Sequence, residues 1–249
     1  MSPSYQAETR ISLDDVHYAP LAPGERELKI LGDVRGKRVL ELACGAAQNA
    51  IAVSKRGARA AALDISALQL SQARRLIAEE GVQVDLLRGD MEHLGMFRDE
   101  CFDVLMSSFG WEFVPDLAAC FLECQRVLRP GGLLVVCTVH PLAAFEWGED
   151  DGALLVTDYF NPPVEVWGEE GGRGEGRAMT FFHTLEEMFA LLTSSGFAVD
   201  RIVEPYPCAP EQIGEGAAPG PPYSGAYWES QYERFRRVPF AIVYVGHKA

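Results

Sequence analysis

The feature that most constrains this chain is an alternation. Short, mostly apolar segments recur through the first 140 residues, most of them followed by a helix-like stretch carrying its own stop signal. Arg38 to Leu42 reads as a strand. Gln48 to Arg56 reads as a helix with Ile51 and Val53 on a buried face, Lys55 and Arg56 suiting the carboxyl end of its dipole and Gly57 stopping it. Arg59 to Leu63 is a second strand, and Ser66 with Gln69 has the spacing of a capping box opening a helix that Gly81 closes. Val82 to Leu87 and Phe102 to Ser107 are further strands. Asp116 to Leu128 is a helix ended by the turn Arg129-Pro130-Gly131-Gly132, and Leu133 to Val139 is a fifth strand. Strands that are apolar throughout, with helices between them, argue for a parallel α/β sheet covered on both faces, a doubly wound core.

Beyond Pro141 the rhythm breaks. A helix from Leu185 to Ser195 and strands from Phe197 to Val203 and Phe240 to Val245 complete the chain, while residues 168–177 are too polar and glycine-rich to pack and are expected to form a mobile loop. The organisation read from this is one domain over 1–249: a cap segment at 1–30, a core at 31–140, and insertions at 141–183 and 205–238 that cover a substrate. A formal charge of -14, from 22 Lys and Arg against 36 Asp and Glu, with no basic stripe, disfavours nucleic acid as a partner. The first ten residues lack a signal-peptide pattern and no apolar run is long enough for a bilayer, so a cytoplasmic protein with no membrane partner is expected. The six cysteines form no CxxC pair and read as core thiols. Cys120 and Cys124 lie one helical turn apart, but no further ligand completes a metal site.

The chemistry sits in the turn after the first strand. In Val39-Leu40-Glu41-Leu42-Ala43-Cys44-Gly45-Ala46-Ala47, small residues lie where a parallel sheet presents backbone N–H groups to a ligand. Nineteen residues after Gly45 comes Asp64, at the end of the second strand and suited to ribose hydroxyls; a glycine turn plus that acid points to a nucleoside. Asp90, after the third strand in Arg88-Gly89-Asp90-Met91-Glu92, is placed to accept from an adenine amino group beside an apolar wall from Met91.

With these residues and the Val127-Leu128-Arg129-Pro130-Gly131-Gly132 turn, the segment Leu31 to Val139 resembles the class I S-adenosylmethionine-dependent methyltransferases. The resemblance implies a Rossmann-like, doubly wound, seven-stranded sheet, mostly parallel with an antiparallel last strand and helices on both faces. It implies S-adenosyl-L-methionine as cofactor and a small-molecule acceptor methylated at oxygen or nitrogen. Glu41, Ala43 and Gly45 would frame the methionine end, Asp64 the ribose, Asp90 and Met91 the adenine, and Ser107 the opposite wall, with Cys44, Ile65 and Gln69 as further cofactor-binding residues and Tyr18 folding over from the cap segment. Two of the family's three turn glycines are Ala43 and Ala47 here, and a positive φ at either would cost of order 1 kcal/mol.

Methyl transfer needs alignment first and a base only for a hydroxyl acceptor. His140, ending the fifth strand on the sheet edge that carries the cofactor motifs, is the candidate catalytic base. His17 and Tyr18 are candidates to close the site or bind substrate, and His183 belongs to a candidate lid. Phe109, Trp111 and Phe113 follow the fourth strand as pocket wall or core, and Tyr159, Trp167, Tyr206, Tyr223, Tyr227 and Trp228 concentrate in the insertions. Two other readings are weighed. A nicotinamide oxidoreductase would want Gly-x-Gly-x-x-Gly and a well-placed Tyr-x-x-x-Lys, whereas the pair present is Tyr244 to Lys248 on the last strand. A cofactor-binding protein that does not methylate would tolerate the two alanines.

Overall fold

In the computed structural model, residues 9–148, 152–167, 178–212 and 220–249 are described. The loop expected at 168–177 lies outside them. Seven strands form the main sheet: β1 (Arg38–Leu42), β2 (Arg59–Asp64), β3 (Val84–Arg88), β4 (Phe102–Ser108), β5 (Leu128–Val139), β6 (Phe197–Val203) and β7 (Ala241–Lys248). Their spatial order is β6-β7-β5-β4-β1-β2-β3. All neighbours pair in parallel except β7, which runs antiparallel to both β5 and β6. The expected seven-stranded, mostly parallel sheet is therefore present.

Alternation along each strand feeds two cores. Leu40, Leu42, Leu105, Leu134, Val136, Ile242 and Tyr244 point to one face and pack under α3 (Leu117–Val127) and α4 (Leu185–Ser194). Val39, Val104, Met106, Val135, Cys137 and Val243 point to the other, under α1 (Gln48–Lys55), α2 (Ala67–Glu80) and the segment around Val16 to Val34. Cys120 and Cys124 are fully buried in the first core, and all six cysteines are free.

Two local expectations need correction, and one is met. Arg129 to Gly132 is no turn outside the sheet: β5 begins at Leu128, opposite Phe102, and the register jumps to Leu133 opposite Val104. The extra residues bulge out, with Gly131 at φ 70° and Arg129 ion-paired to Asp103. Ser66 Oγ accepts from Gln69 N at 3.3 Å as a capping box requires, but the Ser66 amide donates to Asp64 Oδ1 at 2.8 Å. Lys248 Nζ donates to Leu128 O at 2.9 Å, at the sheet edge opposite the β1 and β2 turns. The Tyr244 to Lys248 pair is thus structural.

The cap segment and the insertions knit into one cover. Arg10–Ile11 pairs antiparallel with Tyr223–Ser224, Leu21 N donates to Tyr223 O at 2.7 Å, and Cys208 N donates to Leu21 O at 2.8 Å. Arg237 donates to Gly152 O at 2.8 Å and lies 5.7 Å over the Trp147 ring, joining the two insertions. Beneath the cover, Glu25 fastens the cap to the core. Its carboxylate accepts from Tyr18 Oη at 2.6 Å and from the amides of Ile30, Leu31 and Gly32 at 2.9 to 3.1 Å, with Arg56 Nη1 at 3.6 Å. No helix among the described residues is long and apolar enough to cross a membrane.

Candidate active site

The turn from β1 to α1 is wound through left-handed backbone at alternate positions: Ala43 at φ 48°, Gly45 at 54° and Ala47 at 60°. Only the middle one is glycine, so Ala43 and Ala47 carry strain of about 1 kcal/mol each. What holds them there is a set of hydrogen bonds to β2. Cys44 N donates to Leu63 O at 3.0 Å, and Gly45 N donates to Asp64 Oδ2 at 2.8 Å. Asp64 thus binds Gly45 with one oxygen and Ser66 with the other. Glycine at 43 is expected to raise the melting midpoint by about 2–4 °C, the shift that 1 kcal/mol gives a chain of this size. Glycine at 47 should leave it unchanged, because relief of strain is offset by loss of a fully buried methyl worth about 0.8 kcal/mol. Thermal melts of the two variants check this.

Opposite the turn lies the end of β4. A Cβ at Gly110 would collide with the Ala43 methyl and come within 2.7 Å of Ser107 Oγ, so the two walls meet over a glycine that leaves them room. Ser107 is 1% exposed and its hydroxyl has no hydrogen-bond partner among the described residues. A buried orphan hydroxyl beside a cradle too tight for a side chain is the arrangement expected where a ligand supplies the missing partner. At β3, Gly89 N donates to Asp64 O at 3.1 Å, drawing that strand end against β2. Asp90 is half exposed and accepts from Glu92 N at 3.0 Å, Met91 is buried beside it, and Ile65 stands 65% exposed on the same edge. Gln69 is buried in the first turn of α2.

Glu41 is 4% exposed and accepts from Ala50 N at 2.8 Å. Burial, with Asp64 nearby, pushes its carboxyl from the usual 4.5 up to about 8. Burial also raises Asp64, against the pull of its two amide partners. Glu112, after β4, is pushed by burial to about 7 and accepts from Thr138 Oγ1 at 3.2 Å. A carboxyl raised on folding keeps its proton in the native state while the unfolded chain releases it. Stability is therefore full below about pH 4.5 and falls as pH rises, until about 7 for Glu112 and about 8 for Glu41. Chemical denaturation between pH 5 and 8 should show this slope, and Glu41→Gln should remove about 1.4 kcal/mol per pH unit of it. A variant with the native slope would mean that Glu41 is ionised in the folded protein.

The remaining candidates are distributed unevenly. Tyr18 is fully buried, its ring in the core and its hydroxyl committed to Glu25, so no free hydroxyl reaches the turn. Its neighbour His17 does reach the site: His17 N donates to Asn49 Oδ1 at 2.9 Å, and His17 O accepts from Asn49 Nδ2 at 3.2 Å and Ser108 Oγ at 3.1 Å. His140 is 3% exposed, its Nδ1 accepts from Leu142 N at 3.1 Å, and its Nε2 faces Glu204 Oε1 at 3.1 Å. Accepting at Nδ1 places the ring proton on Nε2, so His140 as it stands has no ring nitrogen free to take another. Trp111 is core and Phe113 is half exposed. Sequence reasoning missed Asn49, Ser108, Gly110 and Glu112, whose roles arise from contacts between loops and leave no local pattern.

The strand order with β7 reversed, and a turn tied to the β2 acid, coincide with a match of residues 40–136 to the family described as a methyltransferase domain. Residues 40–136 thus form a methyltransferase domain, and the chain has the fold of the S-adenosylmethionine-dependent methyltransferases. Among relatives of this methyltransferase, an uncharacterized methyltransferase of Bacillus subtilis is 28% identical over 69% of this chain and 69% of that protein. A ubiquinone biosynthesis O-methyltransferase of Hahella chejuensis is 37% identical over 42% of this chain, and the match spans less than half, 44%, of that protein. An S-adenosylmethionine dependent methyltransferase of Mesorhizobium loti shares the fold, with a TM-score of 0.69 at 24% identity over 88% of this chain and 94% of that one.

Proposed function

We propose that this methyltransferase acts on a small-molecule acceptor at oxygen or nitrogen, with the cofactor held by the loops leaving β1, β2 and β3 and the acceptor under the knitted cover. The observation that carries the reading is the cradle of Ala43, Ser107 and Gly110 beside a turn fixed by Asp64, with an orphan hydroxyl facing it. In this reading Glu41, Ala43, Cys44, Gly45 and Ser107 frame the methionine end, Asp64, Ile65 and Gln69 the ribose side, and Asp90 and Met91 the adenine. The bound cofactor supplies a methyl group on a sulfonium, already activated for displacement by a heteroatom whose proton then leaves. The chain's own work is alignment and exclusion of water. Asp64 and the β1 turn fix one partner, and the cover, anchored through Leu21 to Tyr223 and Cys208, encloses the other.

His140 enters as the side chain that closes the acceptor side against Glu204; it serves as base only when the Leu142 contact opens and frees Nδ1. His140→Ala is expected to lower turnover while leaving affinity for S-adenosylhomocysteine unchanged, and equal turnover would remove it from the mechanism. The reading as a whole is tested by calorimetry with S-adenosylhomocysteine and by labelled methyl transfer to hydroxyl and amine acceptors. Binding of the nucleoside and transfer of label are expected. Binding without transfer to any acceptor would favour a cofactor-binding protein that does not methylate, and binding of a dinucleotide instead would overturn the assignment.

A further inference from the structure

The cap segment crosses the sheet edge as a strap. Asp14 pairs with Lys55 on α1, Tyr18 O accepts from Cys137 Sγ on β5 at 2.7 Å, and Ala19 and Ala22 pack on Ala241 at the start of β7. Between these anchors lies His17. Asn49, fully buried in the first turn of α1, meets the His17 main chain as one strand meets another. Its Oδ1 accepts from His17 N at 2.9 Å, and its Nδ2 donates to His17 O at 3.2 Å.

This amide has more partners than hydrogens. Nδ2 carries two, and three acceptors converge on it: His17 O, Ser108 Oγ at the end of β4 at 3.3 Å, and the Glu41 carboxyl on β1. Ser108 gives its own hydrogen to His17 O at 3.1 Å and so faces Asn49 as an acceptor. The bonds from Nδ2 to His17 and Ser108 lie at or past the long end of the usual range of about 2.7–3.2 Å, as sharing requires. Burial and the neighbouring Asp64 push the Glu41 carboxyl up, and the Asn49 hydrogen bond works against them. A carboxyl so placed favours an incoming cation.

We propose that Asn49 is a positioning residue that couples cofactor binding at Glu41 to docking of the strap at His17. An ammonium arriving at Glu41 supplies that carboxyl, and the Asn49 amide then turns both its hydrogens to His17 O and Ser108 Oγ. The strap tightens after the cofactor has arrived, and by reciprocity a docked strap holds the cofactor more firmly. The proposal rests on the methyltransferase reading for what arrives: S-adenosylmethionine carries an ammonium at its methionine end, the end that Glu41 frames in that reading.

Hydrogen exchange at the His17 amide, which donates to Asn49 Oδ1, reads this contact directly. The full chain is compared with S-adenosylhomocysteine and with 5′-methylthioadenosine, which keeps the adenosyl thioether and lacks the ammonium. Calorimetry is expected to show both ligands binding. S-adenosylhomocysteine should slow His17 exchange about tenfold, and 5′-methylthioadenosine should leave it within about twofold of the free protein. In Asn49→Ala the two ligands should act alike on residues 16–18, and affinity for S-adenosylhomocysteine should fall about tenfold while that for 5′-methylthioadenosine holds. A purely structural role for Asn49 would lower both affinities together. Should Asn49→Ala fail to fold, Glu41→Gln carries the comparison, because a neutral amide does not draw the ammonium; the two ligands should again protect His17 equally.

Equal protection of His17 by the two ligands in the native protein overturns the proposal, and so does a native-like difference between them in the folded variants. Neither result touches the methyltransferase reading, because S-adenosylhomocysteine still binds. If neither ligand binds the native protein, that reading fails and the proposal falls with it.

Discussion

Glu25→Ala is expected to lower the melting midpoint by about 10–15 °C, the largest effect of any single substitution considered. The carboxylate is 2% exposed and is shared by the Tyr18 hydroxyl, three backbone amides and the Arg56 guanidinium. Alanine removes one acceptor and strands five partners. Breaking a buried charged cluster from one side costs about 3–5 kcal/mol, and a chain of this size loses about 2–4 °C per kcal/mol. Glutamine fits the space but offers a single acceptor oxygen, so Glu25→Gln should fall between native and alanine. Differential scanning calorimetry decides it, and a drop under about 3 °C would mean that water replaces the carboxylate without loss. The cap segment should loosen along with the midpoint, because the Glu25 carboxylate holds the amides of residues 30–32; hydrogen exchange would register those amides first.

For Asp64→Ala the expectation is a fall in S-adenosylhomocysteine affinity of at least about a hundredfold. Two effects add. The ligand loses a carboxylate that in the proposed site meets its ribose, and the β1 turn loses the 2.8 Å bond that fixes Gly45 between two strained alanines. Each hydrogen bond to a charged group is worth about 1.5–3 kcal/mol, so the pair accounts for two or more decades. Asp64→Asn separates them: its amide can still accept from one of the two backbone partners, and about a tenfold loss is expected. Calorimetry measures both. Affinity within threefold of native for alanine would show that the turn keeps its shape unaided and that the ligand lies elsewhere.

Most of the architecture was legible because it is written in local pattern. Strand β6 and the start of α4 fall where periodicity puts them, and Gly81, at φ 64°, ends α2 as a left-handed cap. The misread segment, Arg129 to Gly132, has perfect turn chemistry. It was absorbed into β5 because the partner strand tolerates a bulge, which only pairing reveals. Asp64 was legible as a site residue, but its grip on Gly45 was not. Tyr18 and His17 are adjacent in sequence and indistinguishable there as cover residues. Glu25 holds the Tyr18 hydroxyl in the core, whereas Asn49 grips only the His17 backbone and the His17 ring lies against Tyr223. His140 lies on the expected edge, yet its ring is spoken for by Leu142 and by a glutamate 64 positions away.

The reversed strand has a consequence for biosynthesis. β7 is hydrogen-bonded on both sides, so β6 finds no place in the sheet until residues 241–248 have been made. At about 5–20 residues per second, the nascent chain carries β5 as a bare, apolar edge for a few seconds after β6 has emerged. Phe240, directly ahead of β7, arrives with it. That side of the sheet is therefore completed last, and slowed translation or chaperone depletion should produce insoluble chains.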